Sequence, residues 1–347
     1  MSKITRMGID LGKNQFHVCA MDRTGRVVLH KQFTRRGLEK FVHGHERCVV
    51  GMEACGGAHH WARRLRALGY DARLMSAQFV KAYVKSNKND WRDAEAICEA
   101  VGRPTMRFVP VKTVEQQGIQ HLHRARSLAV GQRTALANQM RGILFEYGLV
   151  VRQGIGTLRR RVLEFVEDAE NGLPMAMREL LMEEREELVR LDERVKRLDA
   201  KLDAFAREDQ GCRRLQTIPG IGPKVASALV AAAGDAKEFR NAREFAAWLG
   251  LTPRQRSTGG RTILGGISKR GDRYLRSLLI HGARAALRAA AKREDRRSRW
   301  AVSVQGRRGA NIAAVALANK NARTAWAVLR RELDYHVTQP TPEPGAA

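Results

Sequence analysis

The sequence predicts an α/β domain built on a mixed sheet, followed by a mainly helical region. Three observations carry this. Apolar residues alternate with period two in three successive runs near the start, short apolar runs then alternate with helical stretches, and from residue 114 the apolar spacing turns helical. At 347 residues the chain has room for two or three domains and a sizeable core.

Residues 4–10 lead into an apolar run ending in Asp10; Phe16, Val18 and Ala20 repeat with period two; 27–33 does so again after the turn Asp22-Arg23-Thr24-Gly25. This is an antiparallel three-strand meander. A buried-type strand at 48–52 follows, broken by Gly56-Gly57 before a helix over 58–68, which Gly69 ends. A strand over 72–75 and a helix over 77–84 come next, so the sheet is mixed and covered by helices.

From 114 to 147 the pattern is helical without strands. Leu181, Leu188, Leu191, Val195, Leu198, Leu202 and Phe205 then form a heptad seam of about three repeats. Such a seam serves either an amphipathic helix packing on its own domain or an extended helical pair that separates two domains and brings protomers together, and the second is the expectation. After Gly211, Ile218-Pro219-Gly220-Ile221-Gly222 followed by Lys224 resembles a helix-hairpin-helix turn, in which Gly220 and Gly222 let backbone N–H groups approach a phosphate. A tight turn between two packed helices explains the same residues. The Gly-, Arg- and Ser-rich stretch 250–272 reads as a surface loop for an anionic partner, and 341–347 as a disordered tail.

Charge restricts the function classes. There are 63 Lys plus Arg against 36 Asp plus Glu, a formal net charge of +27. The excess is uneven: 251–300 carries 14 basic and 3 acidic side chains, 161–210 carries 9 and 15, so the C-terminal third is the expected phosphate-gripping surface. No 18-residue apolar run, signal peptide or Lys-rich amphipathic anchor points to a membrane. The five cysteines are scattered and never spaced Cys-x-x-Cys, which predicts reduced thiols in a cytoplasmic protein. The histidine pairs 43/45 and 121/123 lie two apart, a spacing that does not put both on one helix face, so metal ligation by histidine is not expected.

Two sets of residues carry chemistry. Asp10 and Glu53 sit at strand ends, and Asp90 and Asp93 share a face if their segment is helical. Four carboxylates so gathered repel one another unless cations intervene, so the cluster reads as a Mg²⁺ site, with Mn²⁺ as the alternative ion. Ser257 and Thr258 are flanked by Arg254, Arg256 and Arg261, with Lys269 and Arg270 beyond. A hydroxyl among such donors is either a nucleophile toward a phosphodiester or a phosphate hydrogen-bond donor.

Six ordered motifs then set a resemblance: Gly-Ile-Asp-Leu-Gly-Lys; Met-Glu-Ala-Cys-Gly-Gly-Ala-His-His-Trp-Ala-Arg; Lys-Asn-Asp-Trp-Arg-Asp-Ala; Ile-Pro-Gly-Ile-Gly-Pro; Gly-Leu-Thr-Pro-Arg-Gln; and Gly-Gly-Ile-Ser-Lys-Arg-Gly-Asp-Arg-Tyr-Leu-Arg. Over residues 4 to 332 the chain resembles the DEDD transposases of the insertion-sequence-110 family, and more closely their insertion-sequence-1111 branch. The resemblance implies a RuvC-like domain of RNase H fold at 1–112, a helical coiled-coil domain at 113–210, a transposase domain with a serine nucleophile at 211–335, and a tail at 336–347. It places Asp10, Glu53, Asp90 and Asp93 as the metal-binding tetrad. Ungapped alignment on Gly-Leu-Thr-Pro puts the nucleophile at Thr258, while Ser257 supplies the expected residue type one position earlier; Ser257 is the preferred assignment. Gly220, Gly222, Lys224, Arg254, Arg256, Arg261, Lys269 and Arg270 are the expected nucleic-acid contacts.

The implied partners are donor and target DNA, a structured non-coding bridge RNA that pairs with both, and further copies of the chain in a dimer or tetramer. The implied location is the bacterial cytoplasm beside the nucleoid. The expected reaction is hydroxyl attack on a phosphodiester, a covalent ester, and its resolution by a freed strand end without ATP. Two rival readings share parts of this pattern: a Mg²⁺-dependent junction-resolving nuclease, and a non-catalytic helix-hairpin-helix binding protein.

Overall fold

A computed structural model describes residues 3–84 and 89–336; the expected tail lies outside the described residues from 337 onward. The chain divides into two compact units, Met1–Glu115 and Gln116–Ala347.

In the first unit the meander forms as the periodicity predicts, as β1 (Arg6–Leu11), β2 (Gln15–Met21) and β3 (Val27–Thr34). Helix α1 (Arg35–Gly44) follows, capped by the Thr34 hydroxyl, which accepts from Gly37 N. Next come β4 (Val49–Glu53), α2 (Ala58–Ala67) and β5 (Asp71–Met75). The helix expected over 77–84 is instead a short α3 (Ala77–Val80) and a 3₁₀ turn (Lys81–Tyr83). Helix α4 (Asp90–Val101) and the two-residue β6 (Phe108–Val109) complete the unit. The strand order is β3, β2, β1, β4, β5, β6, with β1, β4 and β5 parallel and the others antiparallel to their neighbours. This is the mixed sheet of an RNase H-like fold.

One face of the sheet buries Met7, Ile9, Phe16, Val18, Val50, Met52 and Leu74 against Leu38 and Val42 of α1 and Trp61 and Leu65 of α2. The other face takes α4. Alternation puts Gly8 and Gly51 on that face, and their lack of side chain sets the packing distance. A Cβ on Gly8 would lie 2.3 Å from Cys98 N and 2.4 Å from Ala94 O, and one on Gly51 would lie 2.7 Å from the Val101 Cβ.

The second unit takes in almost all of α5 (Val114–Glu146), then α6 (Ile155–Glu167) and α7 (Met175–Glu208). Helices α8 (Gln210–Gln216), α9 (Pro223–Ala233) and α10 (Ala242–Trp248) follow, with a 3₁₀ turn (Ala236–Glu238) before α10. The stretch read as a loop is a two-stranded hairpin, β7 (Pro253–Thr258) and β8 (Arg261–Ile267). Helices α11 (Arg273–Ala290), α12 (Arg296–Arg308) and α13 (Ala310–Arg331) close a core built largely of alanine and leucine.

The heptad seam lies on α7 and is filled from within the chain. Leu181 and Leu188 pack with Met140 and Leu144 of α5 and with Leu158 and Val162 of α6, while Leu191, Val195 and Leu202 are also buried. Polar clamps reinforce the contact: Arg133 Nη1 donates to Asp192 at 2.7 Å, Arg126 pairs with Asp199, and Gln139 Nε2 donates to Glu184 at 2.6 Å. The expectation that this seam joins protomers is corrected, because its apolar face is already covered.

Beneath α9, His123 is 3% exposed between two hydroxyls. The Ser227 proton goes to Pro223 O at 2.8 Å, so Ser227 Oγ accepts from His123 Nε2 at 3.1 Å and Nδ1 accepts from the Tyr274 hydroxyl at 3.0 Å. That arrangement needs a neutral ring. Burial, followed by the fields of Arg126 and Lys224, pushes the imidazole from its ordinary 6.5 down to about 4.

Two outcomes follow from this packing. Gly8→Val forces α4 off the sheet and lowers stability by about 3 kcal/mol, read as a fall in the urea midpoint. The depressed His123 pKa contributes stability that is whole above pH 6.5 and is lost as pH falls toward 4. The wild-type chain therefore loses about 2 kcal/mol between pH 7 and pH 5 through this group, and His123→Gln lacks that component of the pH dependence.

Candidate active site

The carboxylates predicted from sequence are arranged by the same alternation that admits α4. Gly8 and Asp10 share one face of β1, and Gly51 and Glu53 share the same face of β4. The last registered pair is Ile9 with Met52, so Asp10 and Glu53 stand side by side, one residue further along two parallel strands. Helix α4 crosses that face, and its first turn holds Asp90 and Asp93. Their position is stabilised by the N-terminal end of the helix dipole and by the Asn89 side chain, which accepts from Trp91 N at 3.0 Å.

Trp91 fixes where that first turn sits. Its ring stands edge-on to His17, with centroids 4.8 Å apart, and to His30 at 4.6 Å. His30 Nε2 also donates to the Trp91 carbonyl at 3.1 Å. His17 is the registered partner of Asp10, and its Nδ1 lies 4.0 Å from Asp90 Oδ2. Two strands of the meander thus hold the helix end that carries the second pair of acids. The sequence reading does not single out His17, His30, Trp91, Gly8 and Gly51; period-two facing of Gly8, Asp10, His17 and Cys19 is the signal available for two of them, Gly8 and His17.

Electrostatics report the convergence of the strand-end pair. The Cys55 thiol is raised first by burial and then by the fields of both Asp10 and Glu53. Among the described residues, no three His, Cys, Asp or Glu side chains are close enough together to hold a metal ion. The donor chemistry is nonetheless of the right kind: Asp10 and Glu53 at the strand ends and Asp90 and Asp93 on the first turn of α4 offer hard carboxylate oxygens, which suit Mg²⁺ better than a soft or borderline ion.

The hydroxyl pair lies on the hairpin of the second unit. Gly259 and Gly260 have φ of +51° and +75°, which makes a type I′ turn and matches the twist of the two strands. Ser257 pairs with Thr262, and Thr258 with Arg261. Consecutive residues point to opposite faces, so the two hydroxyls are separated. Ser257 Oγ accepts from Gln255 Nε2 at 2.8 Å and lies 3.3 Å from Thr262 Oγ1. Thr258 shares its face with Arg256 and Arg261. Arg254, Arg256, Arg261, Lys269 and Arg270 are all exposed.

The hairpin is mounted rigidly at its root. A Cβ on Gly250 would lie 1.9 Å from Arg270 O, and one on Gly271 would lie 2.0 Å from Trp248 O. Buried Arg276 donates to the carbonyls of Leu249 and Arg270, both at 3.2 Å. At the turn between α8 and α9, Gly220 (φ +91°) faces Gly282, where a Cβ would meet the Gly282 carbonyl at 2.7 Å. Gly222 has open space around it, and Lys224 is ion-paired with Asp199 at 3.4 Å.

Known proteins are similar along nearly the whole chain. Residues 7–148 match a family model described as Transposase, of the DEDD IS110 type, and residues 212–299 match the Transposase IS116/IS110/IS902 family. A probable family 20 transposase of Pseudomonas aeruginosa is 52% identical over 333 residues, covering 96% of this chain and 98% of its own length. The transposase for insertion sequence element IS1111A of Coxiella burnetii is 43% identical, covering 96% and 92%. That for IS1328 of Yersinia enterocolitica is 42% identical, covering 94% and 97%.

Removing the aromatic latch tests how the acids are placed. Trp91→Ala costs about 2 kcal/mol of stability in urea unfolding, and amide exchange at the start of α4 accelerates more than exchange in β1.

Proposed function

We infer the reaction from one premise: this chain belongs to the IS110 family of insertion-sequence transposases. It acts in DNA transposition, and the finer reading proposed is site-specific strand exchange guided by a bridge RNA. The observation that supports it is that Asp10 and Glu53 close two adjacent parallel strands while the first turn of the helix crossing them carries Asp90 and Asp93.

Asp10, Glu53, Asp90 and Asp93 would hold Mg²⁺, with Mn²⁺ as a substitute. The bound cation supplies neutralisation of the charge that builds on a phosphodiester under attack. Trp91, His17 and His30 keep the first turn of α4, and with it the second acid pair, against the sheet. The Ser257 hydroxyl is the proposed nucleophile. Its oxygen bonds to phosphorus as the bond to one deoxyribose oxygen breaks, and its proton passes to that leaving oxygen. A strand-end hydroxyl of the second DNA then displaces serine, which recovers a proton. One phosphoester replaces another at each step, so no ATP is consumed. Arg254, Arg256, Arg261, Lys269 and Arg270 on and below the hairpin, with Gly220, Gly222 and Lys224 at the α8–α9 turn, are the proposed nucleic-acid contacts.

Sequence choice in this reading comes from RNA pairing with donor and target, and the protein grips the backbone. The net charge of +27 supports two polyanionic partners. Exchange of two DNAs calls for a dimer or tetramer, acting in the cytoplasm at the nucleoid. A specific observation favours a second nucleophile: Thr258, not Ser257, lies on the face of Arg256 and Arg261.

Trapping the covalent intermediate decides between them. With labelled donor DNA, bridge RNA and Mg²⁺, the wild-type chain forms a protein–DNA adduct. Ser257→Ala abolishes it and lowers strand exchange on the order of 10³-fold or more, whereas Thr258→Ala retains the adduct. The reverse pattern moves the nucleophile to Thr258. Strand cleavage without any adduct makes the protein a hydrolytic nuclease.

A further inference from the structure

We propose that Arg296, Lys320 and Arg323, gathered where α13 packs on α12, form a grip for the phosphate backbone of duplex DNA, separate from the hairpin. The choice of DNA rests on the transposition reading above. The turn is fastened to α12 and α13 from behind: Pro219 O accepts from Arg297 Nη2 at 2.9 Å and from Asn321 Nδ2 at 3.2 Å. Arg297 is 9% exposed and Asn321 fully buried, and the two side chains are hydrogen-bonded to each other. With Gly220 packed on Gly282, the turn keeps one open residue, Gly222, at the N-terminus of the 11-residue helix α9.

The residues next to this fastening are cations. Arg296 lies one turn before Trp300 on α12, and Lys320 and Arg323 are three apart on one face of α13. Arg296 and Arg323 are exposed, and the Lys320 Nζ lies 4.4 Å from the Trp300 ring centroid. Among the described residues none of the three makes an ion pair. The nearby Asp295 carboxylate is occupied in capping α12, accepting from Arg297 N, Ser298 N and the Ser298 hydroxyl. Burial, then the fields of Arg297, Arg296 and Arg323, hold the Lys320 ammonium below its ordinary range. Like charges fixed on packed helices, with the one neighbouring carboxylate engaged in capping, are relieved by an anion, and a polyphosphate backbone meets all of them together. Lys224, the cation that the sequence sets beside the turn, is held by Asp199, so the grip falls to residues about 70 to 100 positions further along.

The test uses the full chain and a random-sequence duplex of about 30 base pairs, with binding followed by fluorescence anisotropy over about 50 to 300 mM salt. The triple variant Arg296→Gln, Lys320→Gln, Arg323→Gln is expected to bind at least roughly 10-fold more weakly. The slope of log K against log salt is expected to flatten by roughly 2.7, about 0.9 for each lost phosphate contact. The variant Arg190→Gln, Arg194→Gln, Arg197→Gln removes the same charge from α7 and should leave the slope nearly unchanged. An unchanged slope and affinity in the first variant overturns the inference. So does a variant that weakens binding of a structured RNA but not of the duplex. Should the triple variant fail to fold, Arg323→Gln alone is expected to flatten the slope by about 0.9, and no change there overturns the inference equally. A wild-type chain that does not bind the duplex overturns the transposition reading as well, which is distinct from a wild type that binds and a variant that binds as tightly.

Discussion

The first unit depends on one close approach, that of α4 to the sheet across Gly8 and Gly51. The distances a Cβ would make there, 2.3 Å to the Cys98 nitrogen and 2.7 Å to the Val101 Cβ, mean that any side chain would have to displace helix backbone or core. Such contacts place α4 over the two central parallel strands, where Asp10 and Glu53 emerge one step beyond the glycine on each strand. The spacing Gly-x-Asp on β1 and Gly-x-Glu on β4 therefore does two jobs through one periodicity. The glycine admits the helix, and the acid two residues on faces the helix's first turn. Trp91 then sets the axial position, because its ring and its carbonyl are held by histidines on β2 and β3.

The second unit solves a different problem, which is to project an exposed hairpin from a firm base. Hairpins of two strands are marginal by themselves. Here the root supplies the rigidity: Gly250 and Gly271 bring main chain against main chain, and Arg276 satisfies two carbonyls that the close approach leaves facing inward. A polar network beneath α9 contributes in the same way. Asp199 pairs with both Arg126 and Lys224, and His123 bridges Tyr274 of α11 to Ser227 of α9. Burial acts to raise the Asp199 carboxyl, but the two cations outweigh it and hold it below its usual range.

What the sequence reveals and conceals follows from which forces leave a periodic trace. Strands β1 to β3 were legible because one face of each is apolar, and the strand-end acids were legible because an acid closing such a run is conspicuous. Helix α1 leaves little trace in the sequence: its cap, Thr34, is also the last residue of β3, and only Leu38, Phe41 and Val42 mark its inner face. The hairpin looks like a loop in the sequence since almost every residue in it is exposed, which erases the alternation that identifies a strand; the Gly259-Gly260 pair is the remaining cue. The heptad seam marks a buried face, and α5 and α6 of the same chain cover it. Periodicity states that a face is buried and is silent on whether the covering helix belongs to the same chain. Pairwise contacts such as Trp91 with His17 and His30 leave no spacing at all, because they join an edge of the sheet to a helix about 60 to 75 residues away.

Charge follows the same logic, and the fold sharpens what composition only outlines. The acid-rich stretch of α7 does not serve as a counterweight for the cations of the C-terminal third. Asp192 is bound to Arg133 and Arg159, Asp199 to Arg126 and Lys224, and Glu184 to Gln139, so these inner carboxylates are used where they stand. The outer ones pair along their own helix, Glu186 and Glu187 with Arg190, and Glu193 with Arg197. Helices α11 to α13 and the hairpin consequently keep an excess of cations with almost no carboxylate nearby. Folding has sorted the charges into a neutralised helical brace and an uncompensated basic surface, and only the second can exert a long-range attraction on a polyanion. A chain of the same composition with its acids spread evenly would have the same net charge and a far weaker local field at any one place.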